Sequence, residues 1–190
     1  MMIRNVGCIA LAALVSFFPA AGSAKEPAKG LQSGDALGAF TVQKLGGAVE
    51  DGVEIGESLC YRCKFQSRPM VLVFTRTTGE GVGKLAKELD SAIAKHEKQQ
   101  LRGLVSVMGS DAKQATDVAK KFVQSQGLKH LPIAIPSDIQ TGPRDYRISP
   151  DADVTVVVAK EGEVVQVFTY KQSEVKADEV IQSVEKMLNG

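Results

Sequence analysis

Two cysteines separated by two residues form the segment of this sequence whose side chains are best suited to chemistry. Cys60-Tyr61-Arg62-Cys63 is a C-x-x-C, and at this spacing two thiols can form a disulfide, exchange one with another molecule, or bind a soft metal. The segment lies several residues before the apolar run from Met70 to Phe74 rather than after it. This order along the chain is the feature that a functional interpretation has to explain.

The first 24 residues have the features of an export signal. Arg4 supplies a charged start, an apolar stretch runs from Val6 to Phe18, and small residues end at Ala24. The apolar stretch is shorter than the roughly 20 residues that span a bilayer, so we predict cleavage after Ala24 and no membrane span afterwards. Residues 25–34 are polar and contain Pro and Gly, which predicts a flexible lead-in, and residues 35–190 are predicted to form one domain.

Export bears on the state of the cysteines and on the location of the protein. Of the three cysteines, only Cys60 and Cys63 follow the predicted cleavage site, and an exported compartment permits disulfides. We therefore expect a periplasmic or secreted protein in which these two residues are oxidised at rest. The 23 Lys and Arg nearly balance the 22 Asp and Glu, so the charge does not indicate nucleic acid or an anionic membrane as a partner.

The apolar pattern that follows predicts an α/β domain. Residues 70–74 and 101–108 are continuous apolar runs, which are typical of strands buried on both faces of a sheet. Helical periodicity follows each run, over 82–98 and over 112–126, and Gly127 is a helix stop. This alternation predicts that the two strands are parallel neighbours at the centre of the sheet.

Shorter patterns predict the remaining elements of the sheet and a last helix. The predicted elements are a strand at 40–45 that turns at Gly46-Gly47 and pairs with 48–55, a strand at 132–135, a hairpin of 154–159 and 164–170 about Glu161-Gly162, and a helix over 173–188.

Four segments, in this order, carry motifs of one known superfamily. Residues 34–42 resemble its opening G-D-x-A-P-x-F-x-L, residues 68–74 its central strand, residues 138–148 its D-x-x-g … Y-g-V passage, and residues 155–164 its strand hairpin. On these strings the sequence resembles the thioredoxin-like superfamily, in its redoxin or peroxiredoxin-like branch. The resemblance implies a central mixed β-sheet flanked by helices on both faces.

The resemblance does not extend to the family's catalytic positions. The family's thiol would fall within residues 77–83, where no Cys occurs, and this excludes a peroxidatic mechanism there. The family's cis-proline falls on Val154, where a cis bond would cost about 3 kcal/mol, so we expect a trans bond. The glycine-rich segment 79–85 departs from a phosphate loop at both ends, where Thr78 replaces the first glycine and Leu85 the hydroxyl residue, and we interpret it as a connection to a helix start with Thr77 or Thr78 as N-cap.

Two interpretations of Cys60 and Cys63 remain open. A disulfide across about four residues contributes only about 2 kcal/mol in the chain-entropy model, and Arg62 and Lys64 favour the nucleophilic thiolate. Both points favour thiol-disulfide exchange with the thiols of envelope proteins, and resemblance to other C-x-x-C proteins implies that Cys60 attacks. The competing interpretation is a non-catalytic thioredoxin-like binding module with a structural disulfide.

Metal and haem sites have less support in the sequence. Cu(I) suits two thiolates, and copper-chaperone relatives share the fold, but those relatives carry their cysteines after the central strand. A zinc site would also need His96 and His130, whose polar neighbours predict exposed side chains, and haem attachment would need His in place of Lys64. We therefore predict Cys60 and Cys63 as the site residues and assign no cofactor.

Overall fold

A computed structural model describes residues 30–190 of the chain, and the predicted signal segment 1–24 lies outside the described residues. Seven strands and four α-helices occur within the described part. In chain order they are β1 (Val42–Gly46), β2 (Ser58–Leu59), α1 (Tyr61–Phe65), β3 (Met70–Thr75), α2 (Glu80–Lys95), β4 (Arg102–Val107), α3 (Ala112–Gln126), β5 (Ile133–Pro136), β6 (Val154–Lys160), β7 (Glu163–Tyr170) and α4 (Ala177–Asn189).

All seven strands belong to one mixed sheet with the order β2-β1-β5-β4-β3-β6-β7. Strand β3 is parallel to β4, with Met70 opposite Arg102, and it is antiparallel to β6 on its other side. All six residues of β3 are buried, as a strand covered on both faces requires. The prediction of two parallel apolar strands at the centre of the sheet is confirmed.

The two faces of the sheet carry separate apolar cores. On the first face, Val71 and Val73 of β3 pack with the buried sides of α2, α3 and α4, and we call this group the first core. On the second face, Met70, Leu72 and Phe74 pack with α1 and with the segments before β1 and after β5, and we call this group the second core. Helices thus cover both faces, with the three long ones on one side and the short α1 on the other.

Helix α3 shows how closely local signals determine an element. Asp111 is its N-cap, and the carboxylate Oδ1 accepts a hydrogen bond from the Gln114 N–H at 2.8 Å. Gly127 ends the helix with φ +63°, a left-handed conformation that glycine adopts without a steric cost. The predicted range 112–126 is confirmed. The residues that carry both signals are next to the helix in the chain, so the sequence alone indicates where the helix begins and ends.

Contacts distant in sequence account for several differences from the predictions. Strand β1 pairs with β5 on one side and with the two-residue β2 on the other, and not with residues 48–55, which form an irregular loop. Residues 31–34 belonged to the predicted flexible lead-in, but Leu31 is buried in the second core and the Gly34 N–H donates to Val164 O at 2.8 Å. Helix α4 starts at Ala177 and not at Ser173, after a short 3-10 turn.

No cis peptide bond occurs among residues 30–190, so the expected trans bond before Val154 is confirmed. None of the helices within this range is long and apolar enough to cross a membrane.

The prediction that His96 is exposed is wrong, because helix α4 covers it. His96 caps the C-terminus of α2, is only 8% exposed, and places Nε2 2.9 Å from Glu185 Oε1 on α4. Glu185 Oε1 also accepts from Lys95 Nζ at 2.7 Å. The hydrogen bonds from Lys95 and then from His96 hold the pKa of the Glu185 carboxyl below its ordinary value.

We therefore predict that Glu185→Gln destabilises the protein near neutral pH by less than about 1 kcal/mol, because the pair is partly solvated. A lowered pKa means that the carboxylate contributes stability above its unfolded-state pKa of about 4.3 and loses it as the pH falls through the folded-state pKa. Urea unfolding should therefore show the variant and the original protein converging in acid. Glu50→Gln, at an exposed carboxyl without an ion pair among the described residues, is the control; an equal effect there would contradict the prediction.

Candidate functional site

The C-x-x-C segment lies at the start of α1, directly after the edge strand β2. Leu59 pairs with Val42 of β1, and Cys60 follows as the N-cap of the helix, with extended backbone angles. Lys64 N–H donates to Cys60 O at 3.0 Å and closes the first helical turn. The two cysteines are therefore one helical turn apart, which brings side chains at a C-x-x-C spacing together.

Cys60 and Cys63 are joined by a disulfide, with their Cα atoms 5.2 Å apart. The Cys63 N–H donates a hydrogen bond to Cys60 Sγ, with the nitrogen and the sulfur 3.1 Å apart. Cys63 is exposed to solvent, whereas Cys60 is half-buried. The predicted pair is therefore brought together in its oxidised form, at a surface that another molecule can reach.

Tyr61 anchors the segment from within the second core. Its ring is fully buried, and its hydroxyl donates to Asp51 Oδ2 at 2.6 Å. Asp51 Oδ1 in turn accepts from Lys44 Nζ at 2.7 Å, and Lys44 is only 2% exposed. Burial, followed by the hydrogen bond to the Asp51 carboxylate, raises the pKa of Tyr61 far above its usual value.

Lys44 has its remaining hydrogen-bond capacity filled by the loop before β2. Its ammonium group also donates to Ala48 O at 2.9 Å and to Val53 O at 2.8 Å, and the Val53 N–H donates to Asp51 Oδ1 at 2.9 Å. The Lys44 ammonium group therefore has three acceptors, one of them the Asp51 carboxylate, and these interactions offset the cost of removing its charge from water. The loop is thus held around a buried ion pair that also positions Tyr61.

Lys44 and Asp51 were not predicted from the sequence to be part of this site. One signal for Lys44 was present, because in the alternating strand it shares a face with Val42, which is buried in the second core. Asp51 lies in a loop, where no periodicity shows the direction of a side chain.

Arg62, the other residue between the cysteines, also turns towards the protein. It is half-buried, and a Cβ atom added to Gly162 in the β6–β7 turn would lie 2.8 Å from Arg62 Nη2. Gly162 has φ +85°, so the turn needs glycine both for its backbone and for this close approach. Arg62 Nε is buried without a hydrogen-bond partner among the described residues, and the guanidinium of this residue, next to Cys63 in the chain, makes no ion pair there.

The structure does not bring the cysteines to the position that the resemblance marks for a catalytic thiol. Helix α1 packs against the second core, whereas α2 packs against the first core on the opposite face. The six residues of β3, about 17 Å at the usual rise, lie along the chain between the end of α1 and the segment 77–83. Thr77 and Thr78 are not the helix cap as predicted; Gly79 is, without a side-chain cap bond.

The two histidines do not join the cysteines either. His96 is held between Gln99 and Glu185, as described above, and His130 is exposed as predicted. Within residues 30–190, no group of three or more His, Cys, Asp and Glu side chains is arranged to hold a metal ion. Cu(I) would need the two thiolates, and these are released only when the disulfide is reduced.

Comparisons with known proteins give matches in structure but not in sequence. No protein-family model and no curated protein sequence matches the chain. A protein assigned as thiol:disulfide interchange protein DsbE from Chlorobium tepidum superposes with a TM-score of 0.60 at 13% identity, covering 83% of this chain and 99% of that one.

Two further solved structures superpose equally well. Peroxidoxin BcpB from Mycobacterium tuberculosis has a TM-score of 0.61 at 15% identity, covering 84% of this chain and 97% of that one. AhpC from Mycobacterium bovis has a TM-score of 0.60 at 14% identity, covering 84% of this chain and 94% of that one. The chain therefore has the thioredoxin-like fold, in the form found in redoxin and peroxiredoxin-like structures. A shared fold does not by itself assign a shared activity.

The anchor beneath the cysteines leads to a prediction about stability. Asp51→Ala leaves the Lys44 ammonium buried without its counter-charge and should cost about 3–5 kcal/mol of unfolding free energy. Tyr61→Phe removes one hydrogen bond to a carboxylate and should cost about 1.5–3 kcal/mol. Urea unfolding of the oxidised proteins measures both values. If Asp51→Ala cost no more than Tyr61→Phe, the ion pair would not be the anchor of this segment.

Proposed function

We propose that the protein is an exported thiol-disulfide exchange protein that works through Cys60 and Cys63. The observation that carries the proposal is the Cys60–Cys63 disulfide at a helix start, with Cys63 exposed and the two intervening side chains held inward. Protein thiols of the envelope are the proposed partners, and a periplasmic or secreted location follows from the predicted signal segment. The thioredoxin-like fold supports this chemistry, which proteins of that fold carry out.

The exposure of the two cysteines favours an order of attack opposite to the one that resemblance implied. A substrate thiolate attacks Cys63 Sγ, the Cys60–Cys63 bond breaks, and Cys60 leaves as a thiolate. The Cys63 N–H that already donates to Cys60 Sγ stabilises this leaving sulfur, and so do the positive charges of Arg62 and Lys64. A second substrate thiolate then attacks the mixed disulfide and releases Cys63, so that the substrate gains a disulfide and the protein gains two thiols.

A second candidate function is a thioredoxin-like binding module in which the disulfide is structural. The observation in its favour is that the cysteines lie on the face of the sheet opposite α2, away from the usual active position of the fold. The two candidates differ in redox behaviour. Exchange-active pairs have reduction potentials above roughly −300 mV, and structural disulfides lie below that value.

We predict that dithiothreitol reduces the disulfide under native conditions, because a ring of four residues gains only about 2 kcal/mol from chain entropy. Near neutral pH, the free Cys63 thiol of Cys60→Ser should attack a peptide disulfide, release one of its sulfurs as a thiolate and remain trapped in the mixed disulfide, and more of this adduct should form than Cys63→Ser traps through Cys60. Mass spectrometry of alkylated, non-reduced samples measures both adducts.

The double variant Cys60→Ser/Cys63→Ser is the matched control and should trap nothing. Adducts formed mainly through Cys60 would restore the order that the resemblance implied and leave the exchange function intact. A bond that resists reduction until the protein unfolds, together with no adduct from either single variant, would rule out the oxidoreductase and favour the binding module.

A further inference from the structure

A groove of about 670 Å³ opens beside the C-x-x-C segment, between α1, the loop before β2 and the starts of β4 and β5. Lys64 and Phe65 of α1 line it, so its rim begins one residue after Cys63. On the loop side Val49 lies between two lining residues and is 79% exposed. The groove therefore offers charged and apolar contacts next to the exposed cysteine.

The groove contains positive charges that the protein does not neutralise. Lys64, Arg68, Arg102 and Lys129 all line it, and none of the four has an ion pair among residues 30–190. Arg68 is held in place by bonds from its guanidinium to Gln100 Oε1 and Lys64 O, which are both uncharged acceptors. Four cations thus face one cleft, and the described residues pair none of them with a carboxylate.

The acidic residues of the groove do not cancel this charge. The Asp51 carboxylate belongs to the buried pair with Lys44, which leaves Glu50 and Glu97 as the free carboxylates of the lining. The whole sequence has a formal net charge of only +1, so the excess is local to this cleft. With four cations and two free carboxylates the lining has a net positive charge, and such a cleft raises the local concentration of acidic partners and their association rate.

We propose that this groove binds an acidic polypeptide segment that carries the substrate cysteines, so that acidic protein thiols are the preferred substrates. The inference rests on the proposed exchange function and adds the substrate class to it. An extended chain spans about 3.3–3.6 Å per residue, so carboxylates a few residues from a cysteine reach the groove while that cysteine reaches Cys63. Exposed Val49 gives the bound segment an apolar contact at the rim.

The test uses short peptides that carry two reduced cysteines flanked by glutamates, by glutamines or by lysines. The oxidised protein reacts with each, and the rate of appearance of protein thiols is divided by the rate with dithiothreitol. Near neutral pH and at low salt, we expect the glutamate peptide to exceed the glutamine peptide about tenfold. Lys129→Glu and Arg102→Glu should each reduce this preference about threefold, and about 0.5 M NaCl should abolish it.

Lys87→Glu and Lys113→Glu, made singly, are the controls, because each changes the net charge as much as Lys129→Glu does but at an exposed helix position outside the groove, and each should keep the preference. Lys129 is exposed, so Lys129→Glu tests the inference even if Arg102→Glu does not fold. Equal rates for the three peptides, with reduction otherwise normal, would overturn the inference and leave the exchange function standing. Failure of dithiothreitol and of every peptide to reduce the native protein would overturn both.

Discussion

Strand β3 is buried on both faces, so the rest of the chain has to cover two apolar surfaces that point in opposite directions. The crossovers from β3 through α2 to β4 and through α3 to β5 place both helices on one face, and α4 returns to the same side. The other face is left to shorter segments, among them α1. Because the three long helices cover only the first core, α1 packs on the opposite face, where it completes the second core and places the cysteines on that side of the sheet.

The interior of the second core then determines how the cysteines are presented. Tyr61 and Arg62 occupy inward positions of the first turn, the tyrosine on the Asp51 carboxylate and the arginine against the β6–β7 turn. The sulfur atoms are left at the outer side of the turn because successive helical residues point about 100° apart. A buried ion pair is weak evidence for stability as such, but it holds an irregular loop and a short helix in one arrangement. Such rigidity is what a site built on loops needs.

Thiol-disulfide exchange makes modest demands on a fold, and this helps to explain a site away from the end of β3. It needs two cysteines one helical turn apart, access for a second sulfur, and nearby positive charge to favour the thiolate. Helix α1 supplies all three at Cys60, Cys63 and Arg62, while Thr77 and Thr78 occupy the end of β3 without a thiol. The same fold therefore presents its cysteines on the face opposite α2, beside the charged groove that we propose as the binding surface for a substrate segment.

The sequence by itself determined the central strands, the limits of α3, the β6–β7 hairpin and the C-x-x-C pair, because those signals come from residue periodicity, caps and spacing within a few positions. Tertiary structure decided the partner of β1, the burial of His96 under α4, the Lys44–Asp51 pair and the groove beside Cys63. These depend on residues far apart in the chain. No local pattern encodes which loop closes over a strand or which cations share a cleft, since both follow from how the two cores pack against the sheet.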